Sequence, residues 1–160
     1  MPRKAFVIDI RIESPLWRKA WPNAAREAKR FLATVVGRGD LGCVPTGELT
    51  VVFTSDVRVR ALNLQFRGKD SATNVLSFPD TAVPLGGIAL ALETLQRESA
   101  VQRKQFVNHV KHMILHGFLH LLGHDHQTLR EARLMERLET AILAEMGIPN
   151  PYVIESKTRA

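Results

Sequence analysis

Phe6, Ile8, Ile10 and Ile12 alternate with Val7, Asp9 and Arg11, the two-residue period of a strand with one buried face. Ser14-Pro15 ends it. A helix is predicted from Pro22, where proline suits the first turn, with Ala24, Ala28, Phe31, Leu32 and Val35 on one face as far as Gly37. Residues 37–47 hold four glycines and Pro45 and are predicted as loop. Leu49, Val51 and Phe53 give a second strand. Thr54-Ser55-Asp56 supplies N-cap candidates for a helix through Leu62 to about Phe66, closed by Gly68. Val75 to Phe78 is a third strand, ended by Pro79, and Gly87 to Leu92 a fourth. From Glu93 to Leu122 the helical pattern is too long for one ordinary helix. Ser99 with Gln102 has the spacing of a capping box, so the central helix is predicted to start there. Thr128 with Glu131 forms a second box, opening a helix with Met135, Leu138, Ile142 and Met146 inward and stopping at Gly147 and Pro149. No repeat, low-complexity segment or linker interrupts the chain. The order β-α-β-α-β-β-α-α predicts one domain over residues 1–160 with a single sheet, whose strand order the pattern does not fix.

Composition changes this picture little. The 160 residues suffice for a sizeable core, and 45% hydrophobic with 24% charged residues is ordinary for a globular protein. The apolar run from Ala82 to Leu92 is interrupted by Pro84, Gly86 and Gly87 and is too short to span a membrane. Asp9 and Arg11 inside the first strand exclude a signal peptide there. Cys43 is the only cysteine, so no internal disulfide forms, and cytoplasm is the expected location. The net charge of +6 and pI of about 10.0 point to a polyanionic partner, because clustered Lys and Arg release condensed counterions.

The chemistry concentrates in HGFLHLLGHDH, residues 116–126. His116 and His120 are four apart and stack on one helical face. Gly123 can end the helix in a left-handed conformation, which turns His126 back towards the pair. Three neutral imidazoles and an open fourth position make a catalytic zinc site. The offsets are those of the metzincin signature H-E-x-x-H-x-x-G-x-x-H, with Gly117 in the place of the glutamate that serves as general base. The surrounding helix, VKHMILHGFLHLLG, is apolar almost all round and should be buried, where unpartnered histidines are costly. His112 competes with His126 for the third place. A helix-only triad, however, strings its ligands about 5–6 Å apart along an axis instead of converging them. His109 and His124 are expected to be exposed or to stand behind the ligands, and Asp125 could fix a ligand's tautomer or be a turn residue.

RGKDSATNVLSFP, LGGIALAL, HGFLHLLGHDH and MERLETAILAEMGIPNPY occur in the order found in YbeY-type endoribonucleases, and the chain resembles that family over roughly residues 48–152. The resemblance implies an α+β, zincin-like fold with one mixed four-stranded sheet and a buried central helix carrying the metal-binding histidines. It implies one zinc per chain on His116, His120 and His126, with Arg67 as the functional arginine. The implied activity is single-strand-selective cleavage of RNA. Its setting is 3′-end maturation of ribosomal RNA and quality control on the small ribosomal subunit. Two positions depart from the family pattern. Gly87 stands where LGDI has an aspartate, and His124 where GYDH has a tyrosine.

Arg67 is predicted just past a helix end, where the macrodipole alone would favour a cation. Its functional reading is a guanidinium aimed at the scissile phosphate. Lys69 is a further candidate for phosphate contact. With Gly117 in the glutamate's place, a water activated at the metal or the RNA's own 2′-OH must supply the nucleophile, and the sequence leaves both open. Two other readings remain: a metallopeptidase on the same histidine spacing, and a non-catalytic, zinc-containing ribosome-associated factor that only binds RNA.

Overall fold

The alternating segments at the N-terminus and around residue 50 become neighbouring parallel strands, β1 (Val7–Ile12) and β2 (Glu48–Thr54). The computed structural model describes residues 6–80 and 85–153, so the start of the interrupted apolar run, residues 82–84, lies outside the described residues. Between the two strands lie α1 (Leu16–Ala20) and α2 (Ala24–Val36), and α3 (Asp56–Arg67) follows β2. Next come β3 (Val75–Pro79) and β4 (Leu85–Ala91), then α4 (Leu92–Gln102), α5 (Phe106–Leu121) and α6 (Leu129–Glu145). The sheet order is β1-β2-β4-β3. β4 runs parallel to β2, and β3 runs antiparallel to β4 on the edge. This is a mixed α+β architecture with one four-stranded sheet, as expected from the sequence.

The two faces of the sheet are covered unequally. Leu49, Val51, Phe53, Ile88 and Leu90 point into the main core, against Leu32 and Val35 of α2 and Val110, Ile114 and Phe118 of α5. Burying side chains of this size stabilises by about 1.5–3 kcal/mol each, so this face dominates the stability of the fold. On the other face Val59 and Leu62 of α3 cover Leu76, Ala89 and Ala91 in a small separate cluster. The two-residue period therefore sends Leu76 under α3 and Ser77 towards α5.

The capping-box reading at Ser99 is corrected. Ser99 lies inside α4, where its hydroxyl donates to the Gln96 carbonyl (3.0 Å). The long helical pattern breaks instead at Arg103, which takes a left-handed φ of 55°. That turn is closed by the Lys104 N–H on Ser99 O (2.9 Å), and the Lys104 ammonium is held by the Pro151 carbonyl (2.7 Å). The local helix-end bond and the tertiary bond to Pro151 together offset the cost of left-handed backbone in a non-glycine residue, and local sequence gives no sign of the second. The second box forms as predicted at Thr128 and Glu131, and Ser55 caps α3. The short α1 was not predicted. Its Trp17 is fully buried and donates its indole N–H to Thr54 O (2.8 Å).

Candidate metal centre

α5 is buried along most of its length because it lies across β3 and β4 with an apolar surface. Its close approach depends on Gly117. A Cβ there would stand 2.8 Å from Ser77 Oγ and 3.3 Å from Ile88, and Ser77 Oγ instead donates to Gly117 O (3.1 Å). The position that carries a glutamate in the metzincin signature is thus pressed against the sheet, where a side chain would displace the Ser77 hydroxyl and crowd Ile88.

The C-terminus of α5 turns at Gly123, with φ 99° and the His124 N–H on Leu119 O (3.0 Å). The turn delivers His126 to the face carrying His116 and His120. One ring nitrogen from each of the three lies within 4.8 Å of the others. His116 Nε2 and His120 Nε2 stand 3.1 Å apart. Two ligands 2.0–2.1 Å from a tetrahedral ion stand about 3.3 Å apart, so the His116–His120 pair is spaced for such a cation, with His126 close enough to join it. Burial pushes the His120 imidazole below its ordinary pKa, with the neighbouring His116 and His126 acting in the same direction. That keeps it neutral, as a ligand must be.

Behind His116 lies Glu139 of α6, fully buried. Its Oε1 accepts from His116 Nδ1–H (2.6 Å) and its Oε2 from His112 Nε2–H (2.9 Å), with the Tyr152 hydroxyl donating to Oε2 as well. Burial alone would raise this carboxyl's pKa. The bonds from His112 and His116 outweigh it and bring the value down to about 2. The Tyr152 phenol is pushed up, by burial first and then by the carboxylate it serves. Glu139 thereby fixes His116 with Nε2 facing the other donors, the tautomer a metal ligand needs.

Sequence reasoning missed Glu139, although a signal was present. On α6 it shares the inward face with Met135, Ile142 and Met146, where a carboxylate needs a reason to be buried. The role considered for Asp125 falls to Glu139. Asp125 Oδ1 accepts from the His126 N–H (2.7 Å) and acts as a turn residue. His112, the rival for the third ligand, is instead committed to Glu139. His109 is buried, not exposed, and its Nε2–H donates to Glu98 (3.0 Å). His124 donates to Leu41 O (3.0 Å).

Arg67 ends α3 and reaches around the edge strand to donate to Ser77 O (3.2 Å). It lines the same cavity as the three histidines, a cleft of about 710 Å³. Lys69, two residues on, is exposed and stands outside the residues lining that cleft. At the departure from LGDI, Gly87 pairs in register with Thr50 and Phe78, so the strand is placed without an aspartate. The Phe78 ring occupies the space, 2.4 Å from where a Cβ would be, and stacks on Phe66 (5.9 Å, 10°). Among the described residues no helix is long and apolar enough to cross a membrane.

Fold and site together define a mixed α+β protein with three histidines, two on a helix and one on the loop after it, that could hold a metal ion and are backed by a buried carboxylate. The chain belongs to the endoribonuclease YbeY family: the family model described as Endoribonuclease YbeY matches residues 17–147. It is 43% identical over 157 residues to Endoribonuclease YbeY of Nitrobacter winogradskyi, covering 91% of this chain and 82% of that protein. It is 41% identical to the Paramagnetospirillum magneticum protein of the same name, covering 91% and 94%. The solution structure of TM1509 from Thermotoga maritima superposes with a TM-score of 0.58 at 21% identity, over 95% of this chain and 99% of that one, and shares the fold.

Proposed function

We propose that residues 1–160 form a single-domain, zinc-dependent endoribonuclease selective for single-stranded RNA. Its setting is the cytoplasm, in 3′-end maturation of small-subunit ribosomal RNA and quality control of ribosomes, with small-subunit proteins as further partners. Family membership makes the chain a hydrolytic nuclease acting on RNA phosphodiester bonds. The observation that carries the finer reading is the placing of Arg67 and the three histidines on one cleft.

His116, His120 and His126 would hold one zinc ion per chain, and Glu139 would keep His116 in its ligating tautomer. A bound zinc supplies Lewis-acid polarisation of a phosphoryl oxygen and lowers the pKa of water. Arg67 carries a fixed positive charge on the cleft wall, oriented by its bond to Ser77 O. There it offsets the negative charge that grows on the phosphate in the transition state, with Lys69 binding phosphate further out. With glycine at residue 117, the protein offers no carboxylate base from that position.

The test is Arg67→Ala. Its guanidinium makes one bond to an edge-strand carbonyl, so metal content and melting temperature should stay close to wild type. Cleavage of single-stranded RNA should fall roughly 10²–10³-fold, the usual loss for a preorganised charge stabiliser. Arg67→Lys should recover only part, since an ammonium cannot make the bidentate contact. Full cleavage by a folded Arg67→Ala protein would reject this role.

A further inference from the structure

The outward face of α6 has no part in the metal centre, yet its composition is unusual for a solvated helix. Taking 100° per residue, Arg130, Arg133, Leu134, Arg137, Ala141 and Ala144 fall on the side opposite the buried Met135, Glu139 and Ile142. All six are exposed, and the three arginines enter no ion pair among the described residues. The helix starts directly after the loop that carries His126. Arg133 and Arg137 form a ridge between two surface hollows, one of about 450 Å³ and the other of about 520 Å³.

The larger observation is continuity. Tyr152 lines both the metal cleft and the 450 Å³ hollow, so it is the sill between them. Its hydroxyl is tied to Glu139 and its ring sits edge-on to His112 (5.4 Å, 84°), while 42% of the residue remains exposed. An aromatic ring fixed from behind and open to solvent is a stacking platform of the kind that single-stranded nucleic acids use. Glu136 is the one acid on the wall of that hollow, against two arginines.

We propose that α6 and Tyr152 form an RNA exit track: the strand leaving the metal cleft stacks a base on Tyr152 and lays its next phosphates on Arg133 and Arg137. This rests on the RNA-cleaving function proposed above. Residues four apart on a helix rise by about 6 Å, so the two flexible guanidiniums can reach successive phosphates of an extended strand. Leu134, exposed on the side of the other hollow, offers apolar contact beside the arginines.

The experiment uses fluorescein-labelled 2′-O-methyl oligouridylates of twelve and four nucleotides, titrated by anisotropy across a range of salt. Arg133→Gln/Arg137→Gln should weaken the dodecamer and flatten its log–log salt slope by about 1.4, two phosphates at ~0.7 each for a single strand. The tetramer, which the cleft alone can hold, should bind as in wild type. Arg26→Gln/Lys29→Gln on α2 removes the same charge and should leave the slope unchanged. Tyr152→Phe should keep dodecamer affinity, while Tyr152→Leu should lose it roughly tenfold. An unchanged slope in the α6 variant, or an equal change in the α2 variant, overturns the track while leaving RNA cleavage standing. So does arginine-dependent binding to anionic lipid vesicles in place of the dodecamer. Wild-type protein that neither binds nor cuts RNA would instead overturn the nuclease function on which the track depends.

Discussion

Two carboxylate–imidazole networks brace the same helix, one fully and one partly buried, and only one of them stands behind the three-histidine group. At one end of α5, Glu98 of α4 accepts from His109 and from the amide of Asn74, tying together α4, α5 and the start of β3. Further along, Glu139 accepts from His112, His116 and Tyr152, tying α6 and the C-terminal segment to the helix. The local chemistry is the same. The difference lies in what the second imidazole nitrogen meets. On His116 it faces His120 and His126; on His109 it faces no other ligand group. A buried histidine–carboxylate pair is therefore a structural tie by default, and it supports a ligand only where the chain brings further donors to the other side of the ring. The side chain of Glu98 keeps 30% exposure and that of Glu139 none, which marks the second as the costlier group to leave unpaired.

The largest effect should come from the ligands themselves. Purified protein should carry about one divalent ion per chain, and His116→Ala/His120→Ala should lose it on dialysis against a chelator, measured by elemental analysis. Stoichiometric metal in that double variant would dissolve the distinction between the two networks.

The next test compares the carboxylates directly. Glu139→Gln should lower metal affinity roughly 10–100-fold, the usual consequence of removing the group that orients a ligating histidine. It should also lower the melting temperature. The stabilisation from this depressed carboxyl should be present above its unfolded pKa of about 4.5 and fade as pH falls towards about 2. If Glu98→Gln weakens metal binding as much as Glu139→Gln does, the two networks are not functionally different.

The smallest effect sharpens the comparison from the other side. Glu98→Gln should leave metal affinity within a factor of two and act on stability alone. Burial pushes the His109 imidazole below its ordinary 6.5, and Glu98 partly restores it. The unfolded chain thus binds the proton that the folded one resists, so stability in chelator falls as pH drops through 6.5. Removing Glu98 should widen the gap in melting temperature between pH 7.5 and pH 5.5. An equal gap in both proteins would show that Glu98 does not tune His109.

Much of the site was legible because it is local. His116, His120, Gly123 and His126 lie within eleven residues, and helical geometry plus one left-handed turn suffices to converge them. The strands, the Ser55 cap and the Thr128–Glu131 box are also short-range patterns. Glu139 was not legible, because it meets His116 only once α6 has folded back onto α5, 23 residues later in the chain. The break at Arg103 was hidden for a related reason, since Lys104 is held by Pro151, 47 residues away.

By itself, then, the sequence determined the four strands, α2, α3, α6, the histidine group and the choice of family, because periodicity and motif spacing are properties of neighbouring residues. Only the tertiary structure decided the strand order, the carboxylate behind the histidines, the cleft shared by Arg67 and the histidines, and what residue 117 packs against. Each of these depends on surfaces distant in the chain being pressed together: Gly117 packs on Ser77, forty residues earlier, on a strand whose place in the sheet no local pattern encodes.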